Sequence, residues 1–263
     1  MKKITVFGGD ERMKTVFFTL SDKGYAVDTY GLFESDSADI ASSDVFLLPV
    51  PATRDGVTVY APLTSRLIPL SWVINSASDR LCLAGNYDLA TERSIDYCRS
   101  DAYAVKNAVP TAEGAIALAI NNTPFTLWGC NALVTGYGRV GKIMADRLHA
   151  LGCHVTVSAR KPYDFALISS LGMEYIHTND ISRYIDRFDI VFNTLDFQVL
   201  NSSLESLRSK TVIDLSTKGG YDPELAMKIG VNAIKAPGLP GRVAPVTAGR
   251  ILAETVIELI EQN

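Results

Sequence analysis

Along the chain, short apolar runs bounded by turn residues alternate with stretches whose apolar positions recur at helical spacing. Continuous apolar runs read as strands buried on both faces, and the longer period reads as helices with one buried stripe. In the first part of the chain the runs are Ile4-Thr-Val-Phe7, Tyr25-Ala-Val-Asp-Thr-Tyr30, Asp44-Val-Phe-Leu-Leu-Pro49, Leu81-Cys-Leu-Ala84 and Ala102-Tyr-Ala-Val105. Gly8-Gly9-Asp10 turns the chain after the first of them, into a helix with Val16, Phe17 and Leu20 on one face, and Arg54-Asp-Gly56 marks a turn. In the second part they are Asn131-Ala-Leu-Val-Thr135, His154-Val-Thr-Val-Ser158, Met173-Glu-Tyr-Ile176, Asp189-Ile-Val-Phe192, Thr211-Val-Ile-Asp-Leu215 and Ala233-Ile-Lys-Ala236. Between the two parts, Pro110 to Ile120 predicts a helix with Pro110 in its first turn, ended by Asn121-Asn122 and Pro124. Ile251, Leu252, Val256, Leu259 and Ile260 predict a last helix over about Thr247–Glu261.

This alternation predicts an α/β protein: an N-terminal Rossmann- or flavodoxin-like α/β domain followed by a doubly wound parallel sheet. The expected division is residues 1–109 as a substrate-side domain and 110–246 as a dinucleotide-binding domain that includes the crossing helix. Residues 247–263 form a terminal helix packing back on the first domain.

The chemistry is densest at Thr135-Gly136-Tyr137-Gly138-Arg139-Val140-Gly141, between a predicted strand and a helix carrying Ile143, Met144, Leu148 and Leu151. Gly-x-Gly-x-x-Gly in that setting cradles a dinucleotide diphosphate: a tight turn at Gly136, backbone approach at Gly138, close packing at Gly141 and helix N–H groups facing the anion. Arg139 is placed to contact the diphosphate too. A ligand-free βα turn is the plainer alternative. The next strand ends in Ser158-Ala159-Arg160-Lys161, where an NAD site would carry an acid for the ribose 2′-hydroxyl. Cations there favour a 2′-phosphate, so NADP is expected ahead of NAD.

Composition narrows the function classes. The 263 residues are 47% hydrophobic with a net charge of −4 and no basic stripe, which speaks against nucleic acid. The longest apolar runs, such as Ala115–Ile120, are too short to span a bilayer, and the chain opens directly into a strand with no signal-peptide core. A cytoplasmic location is expected. Cys82, Cys98, Cys130 and Cys153 read as free thiols, and His149, His154 and His177 as structural, so no metal is expected.

Ligands in parallel sheets gather beyond the carboxyl ends of strands. That rule selects Asn193 and Thr194 for the nicotinamide end, or as a polar strand end only. Lys218 is the candidate catalytic or anchoring cation, or a solvated lysine. Arg242, on a loop stiffened by proline, is the candidate carboxylate clamp. From the first part come Asp10 and Arg12, with Asp10 equally readable as a helix N-cap, then Thr53, and Asn107, Thr111 and Glu113. Glu113 is an acid/base candidate or a dipole-matched helix residue. A hydroxy-acid dehydrogenase would carry a histidine after the last strand, and this chain has none there.

Several segments together resemble the A subunit of bacterial dipicolinate synthase: Gly8-Gly-Asp-x-Arg12, Leu48-Pro-Val50, Val109-Pro-Thr-Ala-Glu-Gly114, the glycine turn, Ser158–Lys161, Phe192-Asn-Thr194 and Ala236-Pro-Gly-Leu-Pro-Gly-Arg-Val-Ala-Pro245. Ser216-Thr-Lys-Gly-Gly220 departs from the Ser-Lys-Pro-Gly-Gly of the family, which bears on the place of Lys218. The resemblance implies NADP-linked oxidation of a dihydrodipicolinate-type intermediate of lysine biosynthesis to pyridine-2,6-dicarboxylate during spore formation, in the mother-cell cytoplasm. It implies a small dicarboxylate substrate, suited to Arg12, Lys218 and Arg242, and a flavoprotein-like B subunit. Aromatisation would supply the driving force. A homo-oligomer stays open, as do two alternatives: an alanine- or 2-hydroxyacid-dehydrogenase-like oxidoreductase, and a non-catalytic NADP-binding partner of the flavoprotein.

Overall fold

The computed structural model describes residues 2–77 and 79–263. The chain divides into two compact units, residues up to Asn107 with Pro240–Asn263, and Ala108–Leu239. The returning segment therefore begins at Pro240, ahead of the expected residue 247.

The first unit carries β1 (Lys3–Phe7), α1 (Glu11–Asp22), β2 (Ala26–Tyr30), β3 (Val45–Leu47), α2 (Leu70–Ala77), β4 (Leu81–Ala84) and β5 (Ser94–Asp96). All five strands are parallel, in the order β2-β1-β3-β4-β5, the flavodoxin-like arrangement. Strand alternation explains its two apolar layers. Ile4, Val6, Val45, Leu47, Leu81 and Leu83 face one side, with Met13, Val16 and Leu20 of α1. Phe7, Phe46, Cys82 and Ala84 face the other, with Leu70, Val73 and Ala77 of α2.

The helix α3 (Asp101–Asn122) starts in the first unit and continues into the second. Two expectations are corrected here. Ala102–Val105 is helical and not a strand, since so short an apolar run suits either state. Pro110 lies inside the helix rather than in its first turn, where its missing N–H leaves one turn bond unmade. The segment stays helical because Ala112, Ala115 and Ala119, at helical spacing, are buried in the core of the second unit.

That unit continues with β6 (Asn131–Thr135), α4 (Arg139–Ala150), β7 (His154–Ala159), α5 (Pro162–Ser170), β8 (Glu174–His177) and the short α6 (Ile181–Tyr184). Then follow β9 (Ile190–Asn193), β10 (Thr211–Asp214), α7 (Pro223–Ile229) and β11 (Asn232–Lys235). The sheet order is β11-β10-β9-β6-β7-β8, all parallel. Counted within the unit this is the doubly wound order, with the reversal between β6 and β9. Helix α8 (Leu239–Val243) leads back to the first unit, where α9 (Pro245–Gln262) packs along α1. Leu252, Ala253, Val256 and Ile260 of α9 close the same core layer as α1.

Candidate functional site

The glycine turn sits at the carboxyl end of β6, beside the point where strand order reverses. Gly136 has φ +89°, which favours glycine. A Cβ on Gly141 would lie 2.1 Å from the Gly136 carbonyl oxygen, so only glycine lets α4 seat this close to the turn. Gly138 is the N-cap of α4 and supplies no capping side chain, and a Cβ there would meet nothing within 4 Å. The front of α4 thus opens onto space. A cavity of about 330 Å³ lies there, lined among others by Gly138, Arg139, Thr194, Asp196 and Ser216. Tyr137 is buried, with Lys142 5.2 Å from its ring. Burial, then Asp164 and Asp146, pushes its phenol above the ordinary value.

The loops framing this cavity are cross-linked from below. Thr135 Oγ1 donates to Asn193 Oδ1 at 2.5 Å, and Asn193 Nδ2 donates to Asp214 at 2.8 Å and to Leu195 O at 3.0 Å. Asp214 is fully buried and also accepts from Ser216 Oγ at 2.6 Å and from the Ser216 and Gly220 amides. Lys235 Nζ is 3.8 Å from its second oxygen. Asp196 gathers the amides of Thr217 and Lys218 at 2.6 and 3.2 Å. Asn193 is therefore corrected from a nicotinamide contact to a buried strut, and the Thr194 hydroxyl donates back to Thr135 O at 2.6 Å.

At the end of β7, Ser158 is buried and its hydroxyl accepts the Gly136 N–H at 3.2 Å, so it braces the turn and does not face a phosphate. Ala159 is buried as well, while Arg160 and Lys161 are exposed just beyond it. Lys218 is exposed. Glu113 is exposed on α4's side of α3 and sits 3.7 Å from Arg147 of α4. It stands well inside α3, so the dipole-matched reading fails and a surface ion pair replaces it. Asn107 and Thr111 lie one turn apart on α3.

In the first unit Asp10 does cap α1, accepting from the Arg12 amide at 3.1 Å. Its carboxylate also grips the Arg12 side chain through Nε at 2.9 Å and Nη2 at 2.8 Å, and Nη2 donates to Val50 O. Arg12 is 8% exposed; burial opposes its charge, but Asp10 holds the guanidinium above its ordinary value. Asp10 and Arg12 thus tie α1 to the loop after β3 and offer little to a substrate. Gly241 packs on that pair, a Cβ there falling 2.6 Å from Arg12 Nε, and leaves its neighbour Arg242 exposed. The Thr53 hydroxyl is committed as well, donating to Asp55 at 3.0 Å and accepting the Gly56 amide at 2.9 Å.

Residues 3–88 match the family model for the N-terminal domain of the dipicolinate synthase A subunit. The dipicolinate synthase A subunit of Bacillus subtilis is 32% identical, over 99% of this chain and 96% of that protein. The chain belongs to the family of dipicolinate synthase A subunits. The crystal structure of the family's Bacillus halodurans member superposes with a TM-score of 0.92 at 31% identity, covering 98% of this chain and 97% of that one. A transhydrogenase of Sinorhizobium meliloti shares the dehydrogenase-like fold, with a TM-score of 0.68 at 16% identity over 98% of this chain and 93% of its own.

In this family member, sequence reasoning missed Asp214 and Asp196. An acid closing the apolar run Val212-Ile-Asp214 was the available signal for the first. Among the described residues no group of side chains is arranged to hold a metal, and no helix is long and apolar enough to cross a membrane.

Proposed function

We propose that the chain is an NADP-linked oxidoreductase that converts a dihydrodipicolinate-type intermediate to pyridine-2,6-dicarboxylate during spore formation. It does so as the A subunit of dipicolinate synthase, alongside a flavoprotein-like B subunit in the mother-cell cytoplasm. The observation carrying this reading is the uncapped start of α4 behind Gly138, opening onto a cavity at the strand-order reversal. Anions bind such helix starts through backbone N–H groups and the helix dipole. With two cations and no acid directly at the end of β7, the residues present fit a dinucleotide bearing a 2′-phosphate.

When bound, NADP would accept the hydride that the substrate ring loses as it becomes aromatic. The chain's own part is to position. Gly138 would leave room for the diphosphate, Gly141 keeps α4 close, and Arg160 and Lys161 would hold the 2′-phosphate. The Asn193–Asp214 bracing holds the loops after β9 and β10 in place, which keeps the reacting geometry fixed. Lys218 of the second unit and Arg242 of the first are both exposed, and each is a candidate to meet a substrate carboxylate.

Asp10 and Glu113 are both paired with arginines, which leaves Lys218 as the remaining candidate for acid/base work and favours, as second reading, an NADP-binding partner without turnover of its own. The test is to mix the purified chain, alone and with its B subunit, with dihydrodipicolinate and NADP and to follow reduced nicotinamide and product. Turnover by the chain alone supports catalysis here. Tight NADP binding with turnover confined to the pair, and unchanged when Lys218 is replaced, supports the second reading. No NADP binding refutes both.

A further inference from the structure

Arg12 is closed off by Asp10 and Val50, so a carboxylate bound in the first unit would need another cation. The unit's loop after β3 supplies one. That loop folds over the Gly8-Gly9 turn at the carboxyl end of β1: the Gly9 amide donates to Tyr60 O at 2.8 Å, and a Cβ on Gly8 would lie 2.8 Å from the same oxygen. So fixed, the loop walls a cavity of about 240 Å³ lined by Arg54, Tyr60, Thr64, Ser65 and Arg66, besides Asp55.

The charges around this cavity are not equally available. Asp55 Oδ1 accepts from Thr53 Oγ1 and from the Val57 and Thr58 amides, and Oδ2 from Thr58 Oγ1. The Thr58 and Val57 amides hold its carboxyl well below the ordinary range, so this negative charge is answered within its own turn. Arg66 donates to the Asp36 carbonyl and carboxylate and lies 4.6 Å from the Tyr30 ring centroid. Among the described residues Arg54 has no carboxylate partner. Its guanidinium stacks 4.0 Å over the Tyr60 ring and donates to the Tyr60 hydroxyl at 2.9 Å. A guanidinium has five N–H donors in a planar fork, and resting on an aromatic face leaves most of them directed outward.

We propose that this cavity is a carboxylate-binding site of the first unit, in which Arg54 on its Tyr60 platform grips one carboxylate of a small planar dicarboxylate. Ser65 and Arg66 line the same cavity and are the candidates for the other end. The volume of about 240 Å³ has room for a single substituted ring. The site deepens the proposed function by naming where the dicarboxylate binds, and it rests on that reading for the choice of ligand.

The test is calorimetric titration of the full chain with pyridine-2,6-dicarboxylate, with and without saturating NADP. Arg54→Gln is expected to weaken dicarboxylate binding about 10- to 100-fold, and Arg54→Lys to fall between, because it keeps the charge and loses the fork. NADP affinity and melting temperature should stay at wild-type values in both variants, since Arg54 is exposed and remote in sequence from the glycine turn. Unchanged dicarboxylate binding in Arg54→Gln overturns the proposal. So does a wild-type chain that takes NADP but gives no heat with the dicarboxylate, a result that leaves the cofactor reading standing. Arg54-dependent dicarboxylate binding without NADP binding would do the reverse.

Discussion

Gly138→Ala separates a phosphate cradle from an ordinary βα turn. The residue has φ −80° and ψ −162°, values alanine adopts freely, and the added Cβ would meet no protein atom within 4 Å. The folding penalty is therefore confined to the N-cap, where alanine is worse than glycine by about 0.5–1 kcal/mol. That corresponds to a fall in melting temperature of no more than about 4 °C. A diphosphate is another matter, because the methyl stands where its oxygens would approach the first amides of α4. Losing one charge-assisted hydrogen bond is worth about 1.5–3 kcal/mol, or roughly 10- to 100-fold in affinity. Differential scanning fluorimetry and calorimetric titration with NADP read the two quantities side by side. Gly141→Ala is the contrast: its Cβ overlaps the Gly136 carbonyl at 2.1 Å, so about 1–3 kcal/mol of stability goes together with binding. A Gly138→Ala chain that binds NADP as tightly as wild type would refute the cradle.

Replacing Arg160 and Lys161 together with alanine should weaken NADP by about 1–3 kcal/mol and NAD far less; equal losses in the two dissociation constants would show the cations serve something else. Asp214→Asn turns a fully buried acceptor into a partial donor against the Asn193, Ser216 and Gly220 groups, and urea unfolding should register a loss of about 2–4 kcal/mol. Burial opposes the charge of Asp36, but the Phe33, Gly31 and Leu32 amides outweigh it and depress the folded pKa. Its stabilising contribution is thus complete above the unfolded value near pH 4 and is lost as pH falls through the lower, folded one. Asp36→Asn should accordingly be less stable at pH 7 and lose less on acidification; parallel acid losses in both chains would contradict this.

Both sheets could be read in advance because their strands are apolar runs between clear turn residues, and strands buried on both faces leave that mark. Ser94–Asp96 escaped because an edge strand of mixed polarity carries no such run, and Leu70–Ala77 because two turns of helix are too few for a periodicity to stand out. Glycine geometry was equally legible: Gly136, with its positive φ, and Gly141, packed on the Gly136 carbonyl, meet backbone requirements, and backbone requirements show in the residue type. Polar side chains do not announce whether they face a ligand or the interior. Arg12, Thr53, Ser158 and Asn193 have the chemistry of binding residues, yet their partners are Asp10, Asp55, the Gly136 amide and Asp214, which only the fold brings together. Arg54 has the opposite history. Nothing marks it among the arginines until Tyr60, six residues on, is found beneath it.

The return of α9 to α1 has a consequence for biosynthesis. Ile4, Val6 and Val16 are made early on the ribosome, but the Leu252–Ile260 face that covers them emerges only after the entire second unit has been translated. During elongation the amino-terminal sheet must wait with one greasy layer uncovered, while the contiguous Ala108–Leu239 body is free to mature first. Nascent chains stalled before α9 is made should therefore engage chaperones through the β1 and α1 layer, not through the segment made last.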